Sequence, residues 1–189
     1  MNKAYWTNYF ENESKILLAL ISISVLLIAS PSKASENDLV VAERMLDAFY
    51  NFDPQSLTLS LEPGEDADRV LYYQAWAEAA NYRIKERRAC EVNEERGIVC
   101  SITVFDDFGK TLDYTATDTF YLKVDGDRVV AASFEGDDPM IFTVLYGWMM
   151  VFRSELFEGA CKDMFEGGDT PAECSKAVVQ AARDFVDIF

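Results

Sequence analysis

One carboxylate stands among apolar residues in the stretch from 114 to 124, where apolar and polar side chains alternate as in a strand. Alternation places every second side chain on the same face. The first face consists of Tyr114, Ala116, Asp118, Phe120, Leu122 and Val124. A carboxyl group on a buried face loses hydration, which raises its pKa unless a donor or a cation pairs with it. Asp118 is therefore the candidate general base or ligand anchor.

Two ordinary explanations for Asp118 stay open at the level of sequence. The side chain would need no function if it lies at the solvated end of its strand. It would also need none if it forms an ion pair with an arginine, and three arginines of the preceding segment are candidates: Arg83, Arg87 and Arg88.

Aromatic residues elsewhere in the chain are candidates for the lining of an apolar ligand pocket. Tyr73 and Trp76 lie on a predicted helix, and Tyr146 lies on another helix after the predicted sheet. Together with Tyr114 and Phe120 they form the candidate ligand-binding set. The alternative is that these rings are ordinary core.

The residue types exclude several kinds of chemistry. The chain has no histidine and no closely spaced cysteine pair, so we expect no metal site. Catalysis by a serine nucleophile would need a histidine and a G-x-S-x-G elbow, and the sequence has neither. The sequence also has no glycine-rich phosphate-binding loop. We expect no cofactor.

The four cysteines are Cys90, Cys100, Cys161 and Cys174. Their even number favours disulfides if the protein is exported. Three pairings are open, and we expect the local one, Cys90 with Cys100 and Cys161 with Cys174, because each pair brackets a predicted turn.

The N-terminus predicts export. Residues 16–29 contain no charge, and a fourteen-residue apolar run matches a signal peptide better than a membrane span. We expect residues 1–34 to be a signal peptide cleaved after Ala34, followed by one domain over residues 35–189; an uncleaved anchor is the alternative. The protein would then be periplasmic or secreted and would meet the membrane only through this leader.

The net charge of −16 would become −17 on removal of residues 1–34, which carry three lysines and two glutamates. Such a charge repels nucleic acid and anionic lipid. We therefore expect no nucleic-acid partner.

The hydrophobic period divides the remaining chain into helices, then strands, then helices. Helical patterns occur within residues 36–54 and within residues 68–84, and residues 54–61 are undecided between helix and strand. Four strands are predicted at residues 85–92, 97–105, 114–124 and 127–135, with turns at "DDFGK" and "VDGDR". Helices follow, and Thr170 is predicted to cap the last of them. The fold class is therefore α+β, with an antiparallel meander of four or more strands curved around the N-terminal helices and a C-terminal helical extension.

Four stretches in this order resemble the nuclear transport factor 2-like superfamily. They are "VCSITVFDDF" (99–108), "DTFYLKVDGDRVVAASF" (118–134), the aromatic segment around Trp148, and "GGDTPAE" (167–173). The likeness to exported bacterial members, including SnoaL-like and ketosteroid isomerase-like proteins, covers residues 39–189. It implies a cone-shaped sheet with an internal pocket, and its exposed sheet surface is a candidate homodimer interface. No catalytic residue is carried over, because no local motif aligns an aspartate or a tyrosine with a role in those enzymes.

Two functions follow as hypotheses. The first is an exported module that binds a small apolar molecule or a protein without catalysis. The second is a cofactor-free isomerase or lyase for a small apolar carbonyl compound, with Asp118 as base and Tyr114 or Tyr73 as hydrogen-bond donor.

Overall fold

The computed structural model describes residues 35–164 and 168–188. The predicted leader, residues 1–34 with its cleavage point after Ala34, lies outside the described residues. Within the described part the chain forms seven helices and five strands. In chain order these are α1 Glu36–Tyr50, α2 Pro54–Ser60, α3 Glu65–Ala79, β1 Arg83–Arg87, β2 Glu91–Asn93, β3 Gly97–Phe105, α4 Asp107–Leu112, β4 Ala116–Asp125, β5 Arg128–Gly136, α5 Met140–Phe152, α6 Glu155–Glu158 and α7 Pro171–Val186. The predicted α+β class is confirmed.

The strands form one antiparallel sheet in which β1 and β2 both pair with β3, β3 pairs with β4, and β4 pairs with β5. The predicted meander is therefore confirmed, but its first strand is divided. Cys90 leaves the ladder because its backbone N–H donates to the carboxylate of Glu43 on α1, at 2.6 Å, instead of pairing across the sheet. The interruption separates β1 from β2.

The prediction of a turn at "DDFGK" is wrong, because these residues cap and begin the helix α4. Asp106 caps this helix: its Oδ1 accepts from the backbone N–H of Gly109 at 2.7 Å. Phe108 on the helix is 1% exposed and stacks on Trp76 with the ring centroids 5.0 Å apart. The packing of Phe108 and the Asp106 cap both stabilise α4. Because α4 extends to Leu112, β4 begins at Ala116 rather than at residue 114.

The turn predicted at "VDGDR" is confirmed. Gly126 joins β4 to β5 with a φ of 64°, a left-handed conformation that glycine adopts without strain.

The undecided segment at residues 54–61 and the predicted cap at Thr170 have different outcomes. Residues 54–61, left undecided, begin with the helix α2, where Asp53 Oδ1 accepts from the N–H groups of Gln55 and Ser56. Thr170 precedes α7 as predicted, but it does not cap the helix. Its hydroxyl donates to the carbonyl of Ala160 at 2.8 Å instead.

The buried residues form two clusters. In the first, α1 and α2 pack on one face of the sheet, and Met45, Leu46, Phe120 and Leu122 are at most 1% exposed. The second lies among α3, α4, α5 and α7. The alternation predicted for β4 is confirmed: Ala116, Phe120 and Leu122 are buried, and the last two belong to the first cluster.

One buried amide fixes the end of α1. Gln74 of α3 is 3% exposed, and its Nε2 donates to the carbonyl oxygens of Ala48 at 2.9 Å and Phe49 at 3.3 Å. Carbonyls in the last turn of a helix have no partner within the helix, so this bond holds the C-terminal end of α1 against α3.

Both predicted disulfides are present. Cys90 is bonded to Cys100, which joins the start of β2 to β3. Cys161 is bonded to Cys174, which joins the segment after α6 to α7. Paired cysteines indicate an oxidising environment outside the cytoplasm. Among the described residues, no helix has the length and apolar composition that crossing a bilayer requires.

The first prediction concerns the Cys90–Cys100 bond. Replacing both cysteines with alanine should lower the free energy of unfolding by about 2–3 kcal/mol, because a loop of this size no longer restricts the unfolded chain. Denaturant titration of the double variant beside the wild type measures the change. Peptide mapping without reduction is the control for connectivity, and a Cys90–Cys161 peptide would contradict the structure.

Candidate functional site

Asp118 lies on the core-facing side of β4 and is partly buried. Its Oδ2 accepts a hydrogen bond of 2.8 Å from the hydroxyl of Tyr50, the last residue of α1. The partner is therefore a neutral phenol from the helix that covers the sheet. The nearby arginines are engaged elsewhere, and the sequence could not have assigned a partner that lies 68 positions away.

The three arginines considered as partners bond to other groups. Arg87 forms ion pairs with Glu43 and Asp47 at 2.5 and 2.6 Å. Arg88 pairs with Glu86, and Arg83 donates to the carbonyl of Tyr82. Within residues 35–164 and 168–188, no arginine or lysine forms an ion pair with Asp118.

Two further carboxyl groups lie at the same end of the sheet. Asp106 follows the end of β3, and Asp138 follows the end of β5 by two residues, while Asp118 lies near the start of β4. These three ends meet because the strands are antiparallel. We call Asp106, Asp118 and Asp138 the acidic cluster.

Gly136 lies between two members of the acidic cluster. A β-carbon added there would be 3.1 Å from Asp138 Oδ2 and 4.0 Å from Asp118 Oδ1. The two oxygens therefore flank one point in space, and the missing side chain keeps that point open. Asp137, the next residue, turns the other way and accepts from the backbone N–H of Thr117.

Three phenols surround these carboxyls. Burial raises the pKa of Tyr82, and the charges of Asp118, Asp106 and Asp138 raise it further. Burial likewise raises the pKa of Tyr50 and of Tyr114, with contributions from the carboxylates beside them. All three phenols stay protonated at neutral pH. Tyr50 donates its proton to Asp118, which leaves Tyr82 and Tyr114 as candidate donors to a ligand.

Asp118 titrates close to neutral pH. Burial raises its pKa to about 7, against the hydrogen bond from Tyr50, which lowers it. The charges of Asp138, Asp106 and Asp137 act in the same direction as burial. Burial also raises the pKa of Asp106, to about 6, although its bond to the Gly109 N–H opposes the change. Carboxyls with such values exchange protons at physiological pH.

The rings beside Asp118 are packed closely. Phe120 lies 5.4 Å from Phe49 and 5.3 Å from Phe134, measured between ring centroids. Tyr73 contacts Phe134 edge to face at 4.5 Å. The side of β4 that faces α1 is therefore occupied by the chain's own aromatic side chains.

The structure separates the residues that the sequence grouped as a ligand-binding set. Phe120 lies two positions from Asp118 on the same face of β4. Tyr73 contacts Phe134, which in turn stacks on Phe120. Trp76 lies in the second cluster, stacked on Phe108. Tyr146 is also there, 5.3 Å from Phe157.

Tyr114, the remaining member of that set, lines a surface groove of about 560 Å³. The groove lies at the start of β1 and the end of β3, and its walls are Arg83, Ile84, Lys85, Phe105, Asp113, Tyr114 and Thr115. Ile84 and Phe105 are 46% and 40% exposed, so the walls offer apolar surface. Among the described residues, neither Arg83 nor Lys85 forms an ion pair.

Sequence reasoning missed this groove apart from Tyr114. The strand pattern predicted Phe105 at a strand end, but nothing local placed it beside β1. The pairing of Arg83 with Phe105 in the sheet creates the apolar and cationic wall.

A second, smaller depression lies on the face of the sheet away from α1. Its volume is about 350 Å³, and hydroxyl groups of Ser101, Thr117 and Thr119 line it together with Arg88, Glu135 and Asp137. Its walls are polar and carry charges of both signs, whereas the groove also offers apolar surface. In the part of the chain that the structure describes, no group of three or more cysteine or carboxylate side chains is arranged to hold a metal ion.

The second prediction concerns the pH dependence of stability. In an unfolded chain Asp118 would titrate near pH 4, and folding raises the pKa to about 7. The folded state therefore binds the proton more tightly, so this contribution to stability is complete at low pH and is lost as the pH rises between these values. The asparagine in Asp118→Asn cannot ionise. Between pH 4 and pH 7 the free energy of unfolding of the wild type should therefore fall by at least about 1 kcal/mol more than that of the variant.

Thermal unfolding between pH 4 and pH 8 tests this, with Asp125→Asn, an exposed carboxylate on the same strand, as the control. Tyr50→Phe removes the bond that lowers the pKa of Asp118, so the carboxyl carbon-13 shift should titrate at higher pH than in the wild type. Equal pH profiles for the wild type and Asp118→Asn would contradict the assignment.

The acidic cluster, its phenols and the adjoining groove are the chemical basis for any assignment of function. The chain matches no family model, no curated protein and no solved structure.

Proposed function

We propose that the protein is an exported, non-catalytic binding module. Its ligand would be a small molecule with an apolar body and an anionic group. The observation that carries this proposal is the position of Tyr114, which lines the open groove and also lies close enough to Asp106 and Asp138 for their charges to raise the pKa of its phenol. One site at this end of the sheet would then combine apolar walls, two cations and a protonated phenol.

The chemistry of the groove defines the ligand class. Ile84 and Phe105 would bury the apolar body, which is the main source of affinity in such sites. Arg83 and Lys85 would bind the anionic group, because charge-assisted hydrogen bonds are stronger than neutral ones. Asp113 in the groove wall and the acidic cluster near Tyr114 would repel an anion, so the anionic group should bind at the β1 side.

The family resemblance supports the same proposal. An antiparallel sheet covered by N-terminal helices is compatible with the cone of the nuclear transport factor 2-like superfamily. We propose membership of that superfamily. Here the chain's own aromatic residues pack between α1 and β4, so the proposed ligand site lies at the end of the sheet and not between the sheet and α1.

The proposed location is the periplasm or the exterior. Two disulfides and the uncharged run at residues 16–29 support export with cleavage after Ala34.

The third prediction tests the binding site. Mass spectrometry of material that co-purifies with the native protein should find an apolar carboxylate or a similar amphipathic anion. Arg83→Gln should weaken binding at least about tenfold and so lower the occupancy, because a charged hydrogen bond contributes about 1.5–3 kcal/mol. Arg88→Gln removes the same charge from a residue outside the groove and should retain the ligand. Equal loss in both variants would show that net charge, and not the groove, determines binding.

A second candidate function is a cofactor-free isomerase or lyase acting on a small apolar carbonyl compound. The observation in its favour is Asp118, whose pKa of about 7 suits a general base near neutral pH. The base would remove a proton from the carbon beside the carbonyl, and a phenol such as Tyr82 or Tyr114 would donate to the developing enolate oxygen. Returning the proton to another carbon completes an isomerisation.

The fourth prediction separates the two candidates. A binding module should not catalyse deuterium uptake from heavy water into small apolar ketones, and Asp118→Asn should change ligand affinity by less than about tenfold. An isomerase should show uptake in the wild type that falls by about 10²–10⁴ in Asp118→Asn, the usual contribution of a general base. Asp125→Asn is the matched control for both measurements.

A further inference from the structure

One glycine joins the wall of the groove to a member of the acidic cluster. Gly109 of α4 is buried, its backbone N–H donates to Asp106 Oδ1 at 2.7 Å, and its carbonyl oxygen accepts from the N–H of Tyr114 at 3.0 Å. A β-carbon at Gly109 would be 3.3 Å from Asp106 Oδ1 and 3.3 Å from Phe105 Cδ2, and it would overlap the carbonyl oxygen of Tyr114. Phe105 and Tyr114 are walls of the groove. The carboxyl group of Asp106 and both of these walls therefore converge on one glycine.

The side chain of Asp106 has little contact with solvent. The residue is 9% exposed, and in the part of the chain that the structure describes no lysine or arginine forms an ion pair with it. Water and counterions therefore screen its charge poorly, and an anion in the groove would be exposed to that charge. A single proton removes the charge, and burial raises the pKa of Asp106 to about 6.

Ionisable groups from several elements face Asp106. The charges of Asp138, after β5, and Asp107, on α4, raise the pKa of Asp106 further. The charge of Asp106 in turn raises the pKa of three neighbours, which are Asp118, Tyr82 and Tyr114. The cations on the adjoining elements are Lys110 of α4 and the groove residues Arg83 and Lys85. Lysine and arginine stay charged at neutral and acidic pH, so the carboxyl groups are the members of this set that change charge there.

The usual titrating side chain is missing from this protein. Histidine is the residue that normally changes charge between pH 5 and pH 8, and the chain has none. All four cysteines are in disulfides. A side-chain effect of pH on binding in this interval therefore has to come from carboxyl groups with a raised pKa. Asp106 is the member of the acidic cluster that is hydrogen-bonded to Gly109, against the groove walls.

We propose that the groove takes up its anionic ligand together with a proton on Asp106, so that the ligand binds more tightly at pH 5 than at pH 8. This regulation rests on the proposed function, because it requires an anion in the groove. An ionised Asp106 repels the anion and a protonated Asp106 does not, whereas Arg83 and Lys85 attract it in both states. Linkage makes the effect reciprocal: the bound anion causes Asp106 to hold its proton more firmly. The protein would capture its ligand in an acidic medium and release it as the pH rises.

The size of the effect is that of one unit charge acting on the anion. At a separation of roughly 8 Å and an effective dielectric constant of about 40, one charge changes the dissociation constant of a monovalent anion about fivefold. Salt weakens this interaction, so the measurement belongs at an ionic strength of about 0.05 M.

The fifth prediction is tested on the protein with both disulfides formed, and naphthalene-2-sulfonate is the probe. Its sulfonate stays ionised throughout the experiment, so a change in affinity reports on the protein. Isothermal titration calorimetry between pH 5 and pH 8 should give a dissociation constant that rises about fivefold with pH. Titrations near pH 6 in two buffers of different ionisation enthalpy should show that a fraction of a proton is taken up for each probe molecule bound.

The variant Asp106→Asn separates the charge from the helix cap. Asparagine caps a helix about as well as aspartate, so the variant should keep α4 and should bind the probe at pH 8 as tightly as the wild type does at pH 5. Its dissociation constant should change less than about twofold between pH 5 and pH 8. Asp125→Asn removes one charge at the other end of β4 and should keep the wild-type pH dependence. The melting temperature at pH 8 checks that both variants are folded, and the proton uptake of the wild type needs no variant.

The outcomes separate this proposal from the proposed function. If the wild type fails to bind the probe at pH 5, or if Arg83→Gln and Arg88→Gln bind it equally well, both the proposed function and the coupling to Asp106 are wrong. If Arg83→Gln alone loses the probe but the wild type has the same dissociation constant at pH 5 and pH 8, the groove assignment stands and the coupling is wrong. A pH dependence that persists unchanged in Asp106→Asn likewise overturns the coupling alone.

Discussion

The hydrogen bond between Tyr50 and Asp118 joins the two halves of the first core, because it connects the last residue of α1 to the middle strand of the sheet. A carboxyl group on the inner face of β4 would be costly without a partner. A phenol satisfies it without neutralising it, and this leaves the carboxyl able to take up a proton near pH 7. An arginine in the same place would have fixed the negative charge at every physiological pH.

The position of Tyr50 in turn depends on the support of α1. Gln74 binds the carbonyl oxygens of the two residues before Tyr50, and Glu43 of α1 binds both Arg87 and the N–H of Cys90. These polar contacts orient one helix against α3 and against the sheet edge. They explain how a cluster built from distant parts of the chain has a defined geometry, since hydrophobic packing alone is not directional.

Features that depend on neighbours in sequence could be predicted. The alternation that buries Phe120 and Leu122, the Gly126 hairpin and both disulfides follow from patterns within about fifteen residues. The structure of α4 could not be predicted as securely, because the Asp106 cap signal competes with a turn signal and Phe108 is stabilised by Trp76 from another helix. The acidic cluster and the groove were largely missed for the same reason. Their members, such as Asp138 and Arg83, carry no local signature, and only the pairing of the strands brings them together.

The two disulfides join cysteines that are consecutive along the chain, Cys90 to Cys100 and Cys161 to Cys174. In an exported chain, each bond could therefore form as soon as its short segment reached an oxidising compartment, before the rest of the polypeptide arrived. No bond has to be broken and re-formed to reach the native connectivity. An oxidant that joins thiols in order of emergence is sufficient for maturation, so production of this protein in a foreign host should require an oxidising compartment but no isomerase that reshuffles disulfides.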